Sequence, residues 1–108
     1  MSAVDPAPVF AALGDRTRLA LFARLADGQR RSIAALSADT RMTRQAVTKH
    51  LRVLEDAGLV ASIRLGRETQ FAFCPEPIAD IRRYLDEVSR QWDDALERLK
   101  LFVEAGSA

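Results

Sequence analysis

The chain carries one cysteine and one histidine in 108 residues, and those two scarcities remove several kinds of protein at once. Cys74 has no partner for an internal disulfide, so a disulfide-stapled scaffold is excluded. One thiol with one imidazole cannot assemble a Cys-His zinc cluster either. No glycine-rich phosphate loop is present among the five glycines, and His50 lacks the Ser, Cys or carboxylate company of a catalytic triad. The reading is therefore of a protein that is not an enzyme and needs no cofactor. No run approaches the roughly 20 apolar residues of a membrane span, and the N-terminus has neither the basic nor the apolar block of a signal peptide. A cytoplasmic protein with no membrane partner is expected.

What is present suits one small domain, since 48% of the residues are hydrophobic and can supply a core. The net charge of +1 hides an uneven distribution. Residues 1–40 hold five basic and four acidic groups, residues 41–74 six and three, and residues 75–108 five and eight. Positive charge is thus concentrated in the middle third. Local phosphate neutralisation, not net charge, governs affinity for DNA, so a basic face on a nearly neutral chain is compatible with binding.

That middle third contains the most informative segment. From Thr43 to Leu54, helical spacing places Ala46, Val47, His50, Leu51 and Leu54 on one face and Arg44, Gln45, Thr48, Lys49 and Arg52 on the other. The first set packs. The second combines three cations, an amide and a hydroxyl with no carboxylate before Glu55, and so can hold phosphates and offer hydrogen bonds to base edges.

Upstream, Val9, Phe10 and Leu13 mark a short amphipathic helix ending at Gly14, after a frayed start over residues 1–6. Asp15 caps a second helix, whose Leu19, Phe22, Ala23 and Ala26 are expected to face the core until Asp27-Gly28 ends it. Ser32 precedes a third of about two turns, over Ile33, Ala34, Leu36 and Ser37, stopping near Asp39-Thr40. A tight connection through Arg41-Met42 leads to the fourth, where Thr43 is the N-cap. Ala46 replaces the Glu or Gln of a reciprocal capping box. Two such helices with a basic outer face on the second make a helix-turn-helix. Gly58 fits a left-handed C-terminal cap. Beyond it, residues 59–65 and 69–73 alternate as two strands about a Gly66-Arg67-Glu68 turn, a two-stranded β wing whose tip offers Arg64 and Arg67 to phosphates or a minor groove.

Pro75 and Pro77 open the last element, and no Gly or Pro follows until Gly106. Ile78, Ile81, Leu85, Val88, Trp92, Ala95, Leu99 and Phe102 step by threes and fours, a heptad seam that seeks another helix. A helix of this length spans roughly 40 Å, more than so small a domain covers, so part of it is expected to pack on a second subunit. An alternative is packing on the chain's own first helix. The residues from Ala105 onward read as a loose tail.

With these elements in place the chain closely resembles ArsR-type winged helix-turn-helix regulators, over roughly residues 8–104. The carriers are the stretch from Phe10 to Arg18, Ser32 to Ser37, Arg44 to Val60, and Gly66-Arg67. The resemblance implies a mainly α fold with a β wing, one domain over 1–108 with a DNA-binding core and wing at 8–74 and a dimerisation helix at 75–104. It also implies a homodimer through the first and last helices, with Phe10, Ile81, Leu85, Val88, Trp92 and Leu99 at the interface. The expected function is repression at a pseudo-palindromic operator in double-stranded DNA, relieved by some signal, such as a small-molecule inducer. Many such regulators sense metals through cysteine pairs in the third helix or Asp/His and His/Glu pairs in the last. Here the third helix has no cysteine and the last no histidine, and Asp80, Asp86 and Asp93 lack a soft or imidazole partner. The chain looks more like the metal-independent branch.

Arg44, Gln45, Thr48 and Lys49 are the candidates for base or groove-edge contact, because the N-terminal part of a recognition helix enters the groove. Thr43, Arg52 and Arg41 are assigned to phosphates, and Arg64 and Arg67 to the wing contact. His50 reads as a satisfied histidine at the core edge, and Cys74 as a small buried apolar residue. Trp92 and Tyr84 read as filler between dimer helices, with a small-molecule pocket as the alternative. The competing function is a winged helix whose basic face docks an acidic protein partner.

Overall fold

A computed structural model of the protein describes residues 5–106. In chain order it contains α1 (Ala7–Leu13), α2 (Arg16–Leu25), β1 (Arg31–Ser32), α3 (Ile33–Ala38), α4 (Arg44–Asp56), β2 (Val60–Leu65), β3 (Glu68–Phe73) and α5 (Glu76–Gly106). Of the frayed start expected over residues 1–6, the first four lie outside the described residues.

The helix starts follow from short polar side chains. The Asp15 carboxylate accepts from the Thr17 and Arg18 amides, the Ser32 hydroxyl from Ala35, and the Thr43 hydroxyl from Ala46. Each satisfies donors that a first helical turn leaves unpaired. The end of α4 is equally local in origin. Gly58 adopts a φ of +78°, its amide bonds the Glu55 carbonyl, and the Leu59 amide bonds that of Leu54. This is a Schellman closure, and the two residues its longer bond joins, Leu54 and Leu59, are both buried in the core. Gly66, at φ +61°, occupies the first central position of the two-residue turn between β2 and β3, the place where a type II′ hairpin requires glycine.

The core gathers Leu21, Phe22 and Leu25 of α2, Leu36 of α3, Val47, Leu51 and Leu54 of α4, and Phe71 of β3. It differs from the sequence expectation on α2. Leu19 is 52% exposed, and Ala23 and Ala26 are exposed as well, while Leu21 and Leu25 are buried beside Phe22. Two faces of that helix carry apolar residues at helical spacing, and the face with the larger side chains turns inward because burial gains scale with apolar area. In α1, Val9 and Ala12 are the buried pair, with Leu13 partly buried against the core.

The two wing strands, β2 and β3, are joined in one sheet by a short third strand that the sequence did not predict. Arg31 and Ser32 pair antiparallel with Phe71 and Gln70, giving the order β1-β3-β2. Two residues are too few to show an alternating pattern, so this strand is specified by its partner and not by its own sequence. Its entry is held by Arg31, whose guanidinium donates to both Asp27 oxygens at 3.0 and 2.6 Å.

Helix α5 runs through Gly106, past the expected loose tail at Ala105-Gly106; Ser107 and Ala108 lie outside the described residues. Its first turns lie on the core. Ile81, expected at a subunit interface, is only 9% exposed and belongs to the core of its own chain, with Ile78 packed beside it. Beyond that point the helix leaves the body of the molecule, which measures 73 × 35 × 20 Å. Leu85, Trp92, Leu96, Leu99 and Phe102 are exposed, Trp92 at 65% and Phe102 at 75%. Phe10 of α1 also remains 41% exposed while meeting Tyr84 edge-on, with ring centroids 6.2 Å apart.

Candidate nucleic-acid interface

The helix-turn-helix is α3, the connection over residues 39–43, and α4. Two side chains fix the angle of its first half. Arg24 donates to the Leu36 carbonyl at 3.1 Å and to that of Ala35 at 3.4 Å, and pairs with Asp39 at 3.2 Å. It thereby satisfies carbonyls that the end of α3 leaves open. The Thr40 hydroxyl donates to the Ser37 carbonyl at 3.1 Å and accepts from the Met42 amide at 3.2 Å, which shapes the turn.

Helix α4 presents the two faces its spacing predicts. Val47, Leu51 and Leu54 are buried, Ala46 and His50 half-buried, and Arg44, Gln45, Lys49 and Arg52 exposed, with Thr48 between. Its outer face borders a groove of about 720 Å³ closed on the other side by the wing. Arg44, Gln45 and Thr48 line it from α4, Leu65, Arg67, Glu68 and Thr69 from the wing, and Ser32, Ile33 and Ala34 from the start of α3. Four of the nine expected DNA-binding residues therefore share one concave surface. Thr43, Lys49, Arg41, Arg52 and Arg64 lie outside its lining.

Chemical availability separates these residues further. Among the described residues the side chains of Arg41, Arg44, Gln45, Lys49 and Arg67 have no hydrogen bond or ion pair, which leaves every donor free. The Thr48 hydroxyl is spent on the Arg44 carbonyl at 2.7 Å, and Thr43 on its cap. Thr48 has thereby used its donor and keeps accepting capacity for a ligand, whereas Thr43, which accepts from the Ala46 amide, keeps its O–H to donate. Arg64 folds onto the wing turn, donating to the Gly66 carbonyl at 3.0 Å. Arg52 pairs with Glu55 at 2.7 Å and lies 5.5 Å above the centre of the Phe71 ring.

His50 takes the quiet role expected of it. Its Nδ1 is 3.5 Å from Arg18 and 4.0 Å from Asp15. Arg18 also donates to the Ala12 carbonyl at 2.6 Å, so one guanidinium joins α1, α2 and α4. Burial, with Glu76 nearby, raises the Cys74 thiol above its ordinary value, the reverse of what a reactive thiolate requires. Sequence reasoning passed over Arg18, Arg24 and Glu55, because each acts through a partner on another element, and over Thr40, whose partners Ser37 and Met42 are local.

A helix-turn-helix with a free cationic outer face, flanked by a wing, defines a winged helix-turn-helix DNA-binding protein, and the comparisons agree. The helix-turn-helix domain family model matches residues 13–63. The chain is 39% identical over 79 residues to the HTH-type transcriptional regulator YuzN of Bacillus subtilis, a match spanning 68% of this chain and 86% of the relative. It is 36% identical over 92 residues to an HTH-type transcriptional regulator of Mycobacterium tuberculosis, across 85% and 82% of the two chains. Among solved structures, an ArsR-like transcriptional regulator from Rhodococcus sp. RHA1 superposes with a TM-score of 0.78 at 34% identity, covering 90% of this chain and 91% of that one. The homodimeric winged helix-turn-helix DNA-binding domain of a Mycobacterium bovis regulator superposes with a TM-score of 0.62 at 27% identity, over 79% and 78% of the chains. The chain belongs to the ArsR-like family of winged helix-turn-helix transcriptional regulators. Its fold and its relatives are those of DNA-binding regulators, not of enzymes.

Proposed function

We propose that the protein is a homodimeric repressor that binds a pseudo-palindromic operator, placing one α4 in the major groove of each half-site and a wing on the flanking backbone. The carrying observation is the groove in which Arg44 and Gln45 face Arg67 with unspent donors. A guanidinium suits guanine and a carboxamide suits adenine through paired hydrogen bonds, while the wing arginine meets phosphate. Arg41 and Lys49, exposed beside the groove, serve as further phosphate contacts.

Dimerisation is supported by the large apolar side chains of α5 that are exposed among the described residues, together with exposed Phe10. The homodimeric structural relative supports it as well. The interface set is Phe10, Leu85, Val88, Trp92 and Leu99, with Ile81 withdrawn into the protomer core. A twofold dimer reads half-sites whose centres lie one helical turn apart, about 34 Å. The supply of one thiol and one imidazole in the whole chain argues for relief of repression by something other than a transition metal, such as a small-molecule inducer. Like the DNA it would regulate, the protein is assigned to the cytoplasm.

Footprinting on operator DNA tests this reading. Two symmetric protections one turn apart are expected, unchanged by added Zn²⁺ or arsenite. A single asymmetric protection, or release by either metal, would contradict it.

A further inference from the structure

The wing meets the recognition helix through a polar cluster that DNA contact alone does not explain. Glu55 lies in the last turn of α4, three residues after Arg52, and its carboxylate is shared between helix and strand. One oxygen accepts from the Arg52 guanidinium at 2.7 Å. The other accepts from the Ser62 hydroxyl at 2.6 Å and the Ser62 backbone amide at 3.1 Å. Arg52 in turn lies over Phe71, the residue of β3 directly opposite Ser62. A carboxylate, a guanidinium, a hydroxyl and a ring thus connect α4 to both long strands of the wing at one level.

We propose that Glu55 is a positioning residue for DNA binding: it sets the angle between recognition helix and wing, so that Arg67 and the base-reading face of α4 engage one duplex together. The inference rests on the operator-binding function proposed above. The leverage follows from strand geometry. Four residues separate Ser62 from Gly66 at the wing tip, about 14 Å along the strand. A 10° rotation about that level carries the tip roughly 2.5 Å, enough to lose a charged hydrogen bond to phosphate. Leu59, Val60 and Phe71 anchor the base of the wing in the core, but apolar contacts are non-directional and do not fix an angle. Buried or half-buried hydrogen bonds to a carboxylate are directional. The Ser62 hydroxyl first and Arg52 second hold the Glu55 carboxyl below its ordinary value, so it stays ionised wherever the protein is folded near neutrality. The same arrangement draws Arg52 away from the phosphate contact expected of it, since its guanidinium steadies Glu55 and covers Phe71.

The test is a double-mutant cycle on operator DNA between Glu55→Ala and Arg67→Ala, with Ser62→Ala as a second probe that removes one of the three bonds. If Glu55 acts through the wing, Glu55→Ala alone weakens operator binding by about as much as Arg67→Ala, roughly tenfold. The combined variant is then weaker by no more than about twofold beyond either single one. The salt slope also falls by about one in Glu55→Ala, although no phosphate contact was itself removed. Glu55→Gln, which keeps an acceptor for Ser62 but loses the charge, recovers part of the loss. Multiplying losses in the combined variant, or a Glu55→Ala protein that binds as the wild type does, would overturn the proposal.

Amide hydrogen exchange separates this idea from the operator reading, because it needs no DNA. Exchange at Ser62 and its neighbours in β2 should quicken at least tenfold in Glu55→Ala, with the core amides of α4 unchanged. Unchanged protection at Ser62 would overturn the proposal even if every DNA experiment succeeded. Failure of the wild type to prefer any operator would overturn the DNA reading instead, leaving the exchange experiment to decide whether Glu55 holds the wing to α4.

Discussion

Replacing Trp92 by Glu should dissolve the proposed dimer while leaving the protomer folded. Trp92 lies on α5 where the helix has left the core, and 65% of it is exposed in the single chain. Full burial of a large apolar side chain gains about 3 kcal/mol, so roughly 2 kcal/mol remains for Trp92 to gain at an interface. A twofold interface contains the residue twice, which brings the figure to about 4 kcal/mol per dimer. Ordering of side chains on association offsets part of this. The expected outcome is self-association weakened by about a hundredfold to a thousandfold, seen by sedimentation across a concentration series. The far-ultraviolet circular dichroism and the melting temperature extrapolated to low concentration should match the wild type. Ile81→Ala provides the contrast. Ile81 is buried in its own protomer, so its truncation should cost about 2 to 5 kcal/mol of protomer stability. A Trp92→Glu protein that sediments like the wild type at every concentration would refute the assignment of the α5 seam to a second subunit. So would an Ile81→Ala protein of unchanged stability that has become monomeric.

Four further outcomes are expected. Arg44→Ala and Gln45→Ala should each cost about 1 to 3 kcal/mol in operator binding and relax the base preference at one position per half-site, checked by competition with operator variants; unchanged preference in both removes them from the readout set. Gly58→Ala places a side chain at φ +78° with the Pro77 ring 3.6 Å from its Cβ, and should lower stability by about 1 to 2 kcal/mol in denaturant titration. Thr43→Ala removes the single cap of α4 and should lower stability by about 1 kcal/mol, measured by thermal melting with DNA absent. The Arg31 guanidinium and the Gln29 amide hold the Asp27 carboxyl down from 3.8 to about 2. A carboxyl lowered by folding contributes stability above its unfolded value and loses that contribution as pH falls through its folded value. Acid titration of stability should therefore show a component lost between about pH 4 and pH 2 that Asp27→Asn lacks.

The elements that were legible in the sequence are those written in local chemistry. Asp15, Ser32 and Thr43 cap helices through amides two or three residues away. Gly58 and Gly66 sit where the backbone turns left-handed. The division of α4 into packing and outward faces needs only a period of 3.6. What was not legible depends on partners distant in sequence. Arg31-Ser32 becomes a strand because Phe71 and Gln70 offer an edge. The inward face of α2 is decided by which side chains fill the core, since Leu19 and Leu21 each belong to a plausible helical stripe. Ile81 and Leu85 occupy the same heptad seam, yet one is buried in its own chain and the other is exposed. Periodicity identifies such a seam without saying where one surface hands over to the next. Assigning Arg52 to phosphate as a free cation overlooks Glu55, three residues on along the same helix and legible in the sequence as its partner; the place of Arg52 over Phe71 was not legible, since that ring comes from a distant strand.

The most direct measurement is the affinity of the purified protein for DNA upstream of its own coding sequence against a random duplex, titrated over salt with the stoichiometry determined. An operator-reading dimer should prefer the upstream fragment, bind it at two protomers per site, and lose affinity steeply as salt rises. Equal binding to both duplexes, with no defined stoichiometry, would contradict that description of the protein.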